Sequence, residues 1–450
     1  MKAVKTFWKS ASIEEKLLWL YTATLPFINL PFCHFMAKKI LFADLVFIVL
    51  LLVMGFKIFY KHIRFSLTPA ISSLLVMLSS FVISCLNSNS IITSAVELSS
   101  LIYLMVLFVL IVNIMRDKEK LIRLLYVWII TSVSISFIGL TAFFIAILGN
   151  NITSNQFLSY SIMDSMAHHF PRIKATFAIS NMFFSYLHTS FIVAVILFLL
   201  ESSLRKKRVL SVCTVIILIT SFLTGSRRLA GLLLSLFLIL VLFGNGKMAS
   251  LLKYITCSVL SVFLVAYIVT SIWLIFPVKI IKDEAKKTIG LTVNYSYGTH
   301  FLSPAVSANM FKRHPIIGVG IGTYNRNFKD YVNWEWLSAN FDFTAYPGYI
   351  KLIKEKNLSF DPHSLYLGTL AETGLIGFFG LCFFIIHYIL LLTRRLRLSG
   401  MHNLIHPISG CVIAGFIGFL LNALTMDILS MRHLWFMLAV GMSAHNIENG

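Results

Sequence analysis

The chain has 450 residues, of which 58% are hydrophobic and 12% charged, about half the charged share usual in soluble domains. It carries a formal charge of +20, but this positive charge is parcelled into short clusters between long apolar runs. That pattern argues against a soluble globular enzyme and against a nucleic-acid partner, and for a protein of the lipid bilayer.

In chain order, about twelve apolar stretches approach the ~20 residues that cross a ~30 Å hydrocarbon core. They lie near 17–36, 40–57, 67–86, 95–115, 122–148, 181–200, 209–225, 229–245, 251–277, 372–393, 404–424 and 431–447. Backbone groups in lipid must be satisfied within the segment or in a closed barrel, and runs this long read as helices. The expected fold is therefore an all-α polytopic membrane protein of about 12 transmembrane helices, without a cleavable signal peptide at its polar start "KSASIEEK". Alternate connections hold "KIFYKHIR" (57–64), "RDKEKLIR" (116–123), "RKKR" (205–208) and "RRLR" (394–397). Basic short loops on one side place that side, and both termini, in the cytoplasm.

Three outer connections depart from the pattern. Segment 149–180 contains "HHFPRIKATF", "TGSRRLAG" (224–231) sets two arginines in a tight turn, and about 85 residues separate spans 9 and 10. That length far exceeds an ordinary loop. It includes "FLSPAVSANMFKRHP" (301–315), which reads as an amphipathic helix, and many aromatics. The expected division is a bundle of spans 1–9 over 1–277, a periplasmic cap loop over 278–362, and spans 10–12 over 363–450. No internal repeat stands out, which weakens an inverted-repeat transporter reading. The six cysteines (Cys33, Cys85, Cys213, Cys257, Cys382, Cys411) lie singly in or beside apolar segments. They read as small buried hydrophobes, and no His/Cys cluster has zinc spacing.

Arg227 and Arg228 stand on the side where basic residues are scarce. They read either as snorkelling to head groups or as an anion clamp, since a guanidinium forks onto two phosphate oxygens. "HPIIGVGIGTY" (314–324) is neither a dinucleotide nor a Walker loop; its glycines fit a turn with close backbone approach. "DPHSLYLGTLAE" holds Asp361, His363, Tyr366 and Glu372. Asp361 or Ser364 fits a helix cap, while neutral His363 is able to take a proton from a hydroxyl. Glu372 falls half a turn round the helix from His363 and reads as structural. Arg172 and Lys174 precede a span that holds Asn181 in its first turns, where an Asn bonds a neighbouring helix. Arg432 opens the last span. Asp44 and Glu97 are acids in or near spans, with no partner evident in the sequence.

"RIKATFAISN", the SR turn, "HPIIGVGIGTY" and "PHSLYLGTLAETGLIG", in this order, resemble the O-antigen ligase and O-antigen polymerase superfamily from about 172 to 380. The resemblance implies a glycosyltransferase of the bacterial inner membrane acting at its periplasmic face. Its donor is an undecaprenyl-diphosphate-linked glycan, and its acceptor is lipid A-core or a growing glycan. It implies no cofactor and no catalytic metal. His363 matches the family's histidine, Arg227 its arginine after the central spans, and Arg432 an arginine near the chain end. Where ligases carry a further arginine ahead of the "HP" turn this chain has His300, so the diphosphate contact falls to His300 or to Arg313. Arg228, Arg172, Asn181, Tyr366 and Glu372 are secondary candidates. An O-antigen ligase is the leading expectation, a polymerase of the same superfamily the nearest alternative, and a lipid-linked oligosaccharide flippase or exporter the alternative of another class.

Overall fold

The computed structural model describes residues 11–29, 31–35, 38–61, 68–149, 156–162, 169–275, 295–335, 361–398 and 405–447. The protein is predominantly helical. Helices α1 (Ile13–Thr24), α2 (Phe42–Lys61), α3 (Ala70–Ser84), α4 (Ile91–Ile114), α5 (Lys118–Leu148), α6 (Ser180–Leu200), α7 (Leu204–Leu223), α8 (Leu229–Phe243) and α9 (Gly246–Ile275) precede the long outer connection. Within it lie α10 (Tyr295–Arg313) and the single turn α11 (Tyr324–Asn327); α12 (Leu365–Leu398), α13 (Ile405–Asn422) and α14 (Arg432–Ile447) follow. A helix overlaps each of the twelve expected stretches. Among the described residues six are long and apolar enough to cross a membrane: Phe42–Tyr60, Ala70–Asn87, Ile91–Ile114, Lys118–Leu148, Ser180–Leu200 and Leu365–Arg397.

The first expected span, 17–36, is realised differently. Pro26 has no N–H to continue the ladder, and α1 stops at Thr24 after 12 residues, about 18 Å of helix. The chain then bonds to the segment before α6: Asn29 N–H donates to Thr176 O at 3.1 Å, Asn29 Nδ2 to Phe177 O at 2.7 Å, and Thr176 Oγ1 to Pro26 O at 2.7 Å. Residues Pro31–Phe35 (β1) and Lys38–Leu41 (β2) form an antiparallel ribbon. A second ribbon, Leu158–Ile162 (β3) with His169–Ile173 (β4), stands in the connection before α6, pairing Ser159 with Arg172.

The contacts sort the helix ends into two groups. At one end Lys57 pairs with Glu14, Arg123 forks onto buried Glu15 at 2.7 and 3.1 Å, Tyr126 reaches Glu201 and Arg395 reaches His445. The other end gathers both ribbons, the α7–α8 turn, the start of α12 and the start of α14. Between them the apolar faces pack: α3 against α12, α8 against α13, α14 against α4. Trp128 stacks on Phe436 with centroids 4.0 Å apart and donates from Nε1 to Ser190 at 3.0 Å. A buried indole thus keeps its hydrogen bond while filling the core.

The outer connection builds a smaller core of its own. Leu302, Val306 and Met310, one face of α10 at four-residue spacing, meet Val319, Tyr324, Phe328 and Val332, together with Ala371 of α12. The expected amphipathic helix over 301–315 is thus the second half of α10. Residues 276–294 and 336–360, much of the expected cap, lie outside the described residues.

α12 is broken. Gly374 adopts φ 61°, ψ −162°, a region open in practice only to glycine, which divides the helix into 365–373 and 375–398. The break orphans N–H groups above it and carbonyls below it, and the stretch 315–320 supplies partners for both. Leu375 N–H donates to Pro315 O at 2.9 Å and Ile376 N–H to Ile316 O at 3.2 Å, while Val319 N–H reaches Ala371 O at 3.0 Å and Gly320 N–H reaches Glu372 O at 2.9 Å. Gly318 (φ 69°) lies so close to the Glu372 carbonyl that a Cβ would collide with it. The glycines of "HPIIGVGIGTY" therefore serve a strap laid across a broken helix.

Candidate functional site

The site lies at the end of the bundle that holds both ribbons. Arg172, on β4, donates from Nε to Thr224 O at 2.8 Å and from Nη2 to Asn181 Oδ1 at 3.3 Å. The same Oδ1 accepts Ser226 Oγ at 3.0 Å, and Ser226 Oγ accepts the Arg228 N–H at 3.3 Å. Asn181, in the first turn of α6, thereby joins β4 to the arginine turn. Gly225 takes φ +58°, and a Cβ there would press on Arg172 Nε at 3.1 Å, so glycine permits both the turn and the arginine beside it.

The two neighbouring arginines diverge. Arg227 is exposed, and its charge reaches Arg172. Arg228, at the N-cap of α8, turns inward: Nη2 donates to Thr425 O at 3.1 Å. Its Nε and Nη1 are buried with no hydrogen-bond partner among the described residues. Unsatisfied guanidinium donors are costly to bury. Burial, with Arg172 adding to it, pulls the Arg228 pKa down to about 10; burial and then Arg227 lower that of Arg172.

His363 stands two residues before α12 with φ 50°, a sparsely populated conformation for a non-glycine residue. The helix start is held from both sides: Ser364 Oγ accepts the Leu367 N–H at 3.4 Å, and Leu365 N–H donates to Ala423 O at 2.9 Å. Burial lowers the His363 pKa; Asp361 opposes the shift and Arg228 adds to it. Neutral imidazole is the form able to accept a proton. Asp427, between α13 and α14, lies on the acidic side of this end. Surrounding protein raises its pKa to about 6, with Glu97 and Asp361 contributing.

The remaining sequence candidates lie elsewhere or serve other contacts. Arg432 pairs with Asp44 at 2.7 Å and lies over the Tyr103 ring, 5.3 Å from its centroid, which gives Asp44 the partner the sequence did not reveal. Arg313 sits over the Tyr331 ring at 5.2 Å. Tyr366 donates to Leu420 O at 2.8 Å. Glu372 accepts Tyr324 N–H at 2.9 Å. His300 falls on α10, but its side chain is outside the described residues. Four candidates thus converge with His363 — Arg172, Asn181, Arg227 and Arg228. Ser226, three residues before α8, and Thr425 were not singled out as site residues from the sequence. Among the described residues no group of three or more His, Cys, Asp or Glu side chains is arranged to hold a metal ion.

A cluster of buried and exposed arginines and a strained histidine thus lie at one end of a bundle of apolar helices. Residues 212–382 match the family described as O-Antigen ligase, which supports the resemblance to the O-antigen ligase/polymerase superfamily read from the motifs. The matched stretch contains Arg227, Arg228, Arg313, His363 and Glu372, whereas Arg172, Asn181 and Arg432 fall outside it. No curated protein matches the chain.

Proposed function

We propose that this protein is an O-antigen ligase-like glycosyltransferase of the bacterial inner membrane, with both termini cytoplasmic and the arginine site facing the periplasm. It moves a glycan from undecaprenyl diphosphate to an acceptor hydroxyl, on lipid A-core in the first instance. The domain division follows: residues 1–277 and 363–450 form the membrane bundle and 278–362 the cap. The observation that carries the reading is Arg228. Two of its donors are buried and without a hydrogen-bond partner among the described residues, Arg172 and His363 lie within its electrostatic reach, and Arg227 lies within that of Arg172.

The chemistry follows from the residues. Attack of the acceptor oxygen on the anomeric carbon breaks the bond to the carrier diphosphate, which leaves with additional negative charge. Fixed guanidinium donors aimed at those oxygens stabilise the charge as it develops, without reorganisation and without a metal. The positive end of the α8 dipole adds to the attraction. The acceptor hydroxyl loses its proton as the bond forms, and His363, kept neutral by burial, receives it.

The test is transfer in proteoliposomes containing the purified protein and an undecaprenyl-diphosphate-linked oligosaccharide. One set is supplied with lipid A-core and another with donor alone. Label appearing on lipid A-core supports a ligase. Carrier-linked glycan that lengthens with donor alone identifies a polymerase. Movement of intact donor across the bilayer, with no new glycosidic bond, overturns the enzymatic reading in favour of a flippase.

A further inference from the structure

The glycine strap and the break in α12 form one device, and the Glu372 side chain closes it. The four backbone hydrogen bonds across the break satisfy two orphan groups on each half-helix. Beyond them the strap continues to Gly322 and Tyr324, whose N–H groups both turn to the Glu372 carboxylate. A carboxyl oxygen accepting backbone donors in a protein interior is a directional tie, since those donors are costly to leave unsatisfied there. The strap is also pinned on its far side: Ile321 N–H donates to Ser84 Oγ at 3.2 Å, and Ser94 Oγ donates to Ile321 O at 2.7 Å. Ala371 meanwhile belongs to the small core of the outer segment. The half-helix 365–373 is therefore clasped by strap and outer core above a break, and His363 sits at its free end in a conformation its backbone does not favour.

We propose that Glu372 is a positioning residue for His363: by holding the N–H groups of Gly322 and Tyr324, it locks the strap to the half-helix 365–373 and fixes the imidazole over the arginine cluster. The inference rests on the reading of His363 as the base. A strained residue persists only where its surroundings over-determine it, and the strap supplies that constraint from nine residues further along α12. In this role Glu372 acts through His363 and not on the substrate. Its role needs an acceptor at that point, so an amide oxygen replaces it.

The experiment combines steady-state transfer in proteoliposomes, using undecaprenyl-diphosphate-linked oligosaccharide as donor, with amide hydrogen exchange over 318–324. Glu372→Ala is expected to lower kcat about 10–100-fold, the scale set by an ångström of misplacement, with donor KM unchanged and faster exchange in the strap. Glu372→Gln, which keeps an acceptor oxygen, is expected to stay within about threefold on both readouts. Should the alanine variant fail to insert, Glu372→Asp, whose carboxylate falls one methylene short, is expected to give the same pattern in weaker form. Faster exchange with undiminished turnover overturns the proposal, since the strap would then be structural only. Lost turnover in Glu372→Gln with exchange unchanged also overturns it, because Glu372 would then act through its charge or proton. Wild-type turnover in His363→Ala is a separate result: it removes the base reading, while the exchange data still report whether Glu372 holds the strap.

Discussion

Asp44 lies 2.7 Å from the Arg432 guanidinium, and this pairing separates Arg432 from the arginines of the candidate site. Asp44 also accepts the Leu41 N–H at 2.8 Å, so one carboxylate joins the end of β2 to the start of α14. A cation already neutralised is a poor site for a diphosphate. Removing either partner leaves the other charge half-buried, at a cost of about 3 kcal/mol.

Asp44→Asn and Arg432→Gln are therefore each expected to lower the detergent-solubilised melting temperature, and the double variant to lose less than the sum of the two. Donor affinity of the protein that remains folded is expected to hold. If Arg432 binds diphosphate directly, Asp44→Asn frees it and donor affinity rises instead; equilibrium binding of labelled donor separates these outcomes.

The second prediction concerns the adjacent arginines. Sequence position favours Arg227 over Arg228, but burial favours the reverse, because a hydrogen bond to a charged group contributes about 1.5–3 kcal/mol where water does not compete. Arg228→Ala is expected to weaken donor binding by roughly 10–100-fold on that scale, and Arg228→Lys to rescue it poorly because the planar fork is lost. Arg227→Ala is expected to have a smaller effect that shrinks further in high salt. Donor binding measured at two ionic strengths decides it; a larger loss at Arg227 would restore the order read from the sequence.

How much was legible follows from what each feature depends on. Apolar runs mark their helices because hydropathy is local, and the arginine turn and His363 stood out because polar residues beside apolar spans are rare. The end of α1 was missed because "PFCHFMAKKIL" is apolar enough to prolong a span, although two prolines and a distant partner at Thr176 redirect it. The break at Gly374 was hidden inside an apolar run, since it exists only where the strap supplies hydrogen bonds. The inward turn of Arg228 depends on Ser226 and Thr425, which come from two connections far apart in the chain. Local pattern reads the elements; it does not read which of two neighbouring side chains faces the site.

The third prediction is the sign of the pH dependence. Burial, reinforced by Arg228, sets the His363 pKa below the 6.5 of a free imidazole, and the neutral form is the proton acceptor. Turnover is expected to be level through neutral pH and to fall only as pH drops through that lowered value. Asp361 opposes the shift, so Asp361→Asn lowers the pKa further and moves the acid limb to still lower pH. A limb that moves upward in Asp361→Asn, or one unaffected by His363→Ala in the residual activity, rules out His363 as the titrating base.

The last prediction concerns Asn181, whose single oxygen accepts both Arg172 and Ser226. Asn181→Ala removes the acceptor and leaves Arg172 its Thr224 bond alone, so β4 and the arginine turn lose their common anchor. Donor binding is expected to weaken about tenfold, the equivalent of one lost hydrogen bond to a charged group. Asn181→Asp keeps an acceptor in place but adds a negative charge beside Arg172, where the site gathers positive charge. If Asn181 serves only to hold the fold, Asp replaces it and donor binding survives. If it holds a cluster whose positive charge receives a diphosphate, the aspartate variant keeps or raises thermal stability through a new ion pair yet binds donor more weakly than wild type. Melting temperature and donor binding, measured on the same preparation, are expected to move in opposite directions. Parallel movement would reduce Asn181 to a structural residue and remove one of the supports for an anion site at the head of α6.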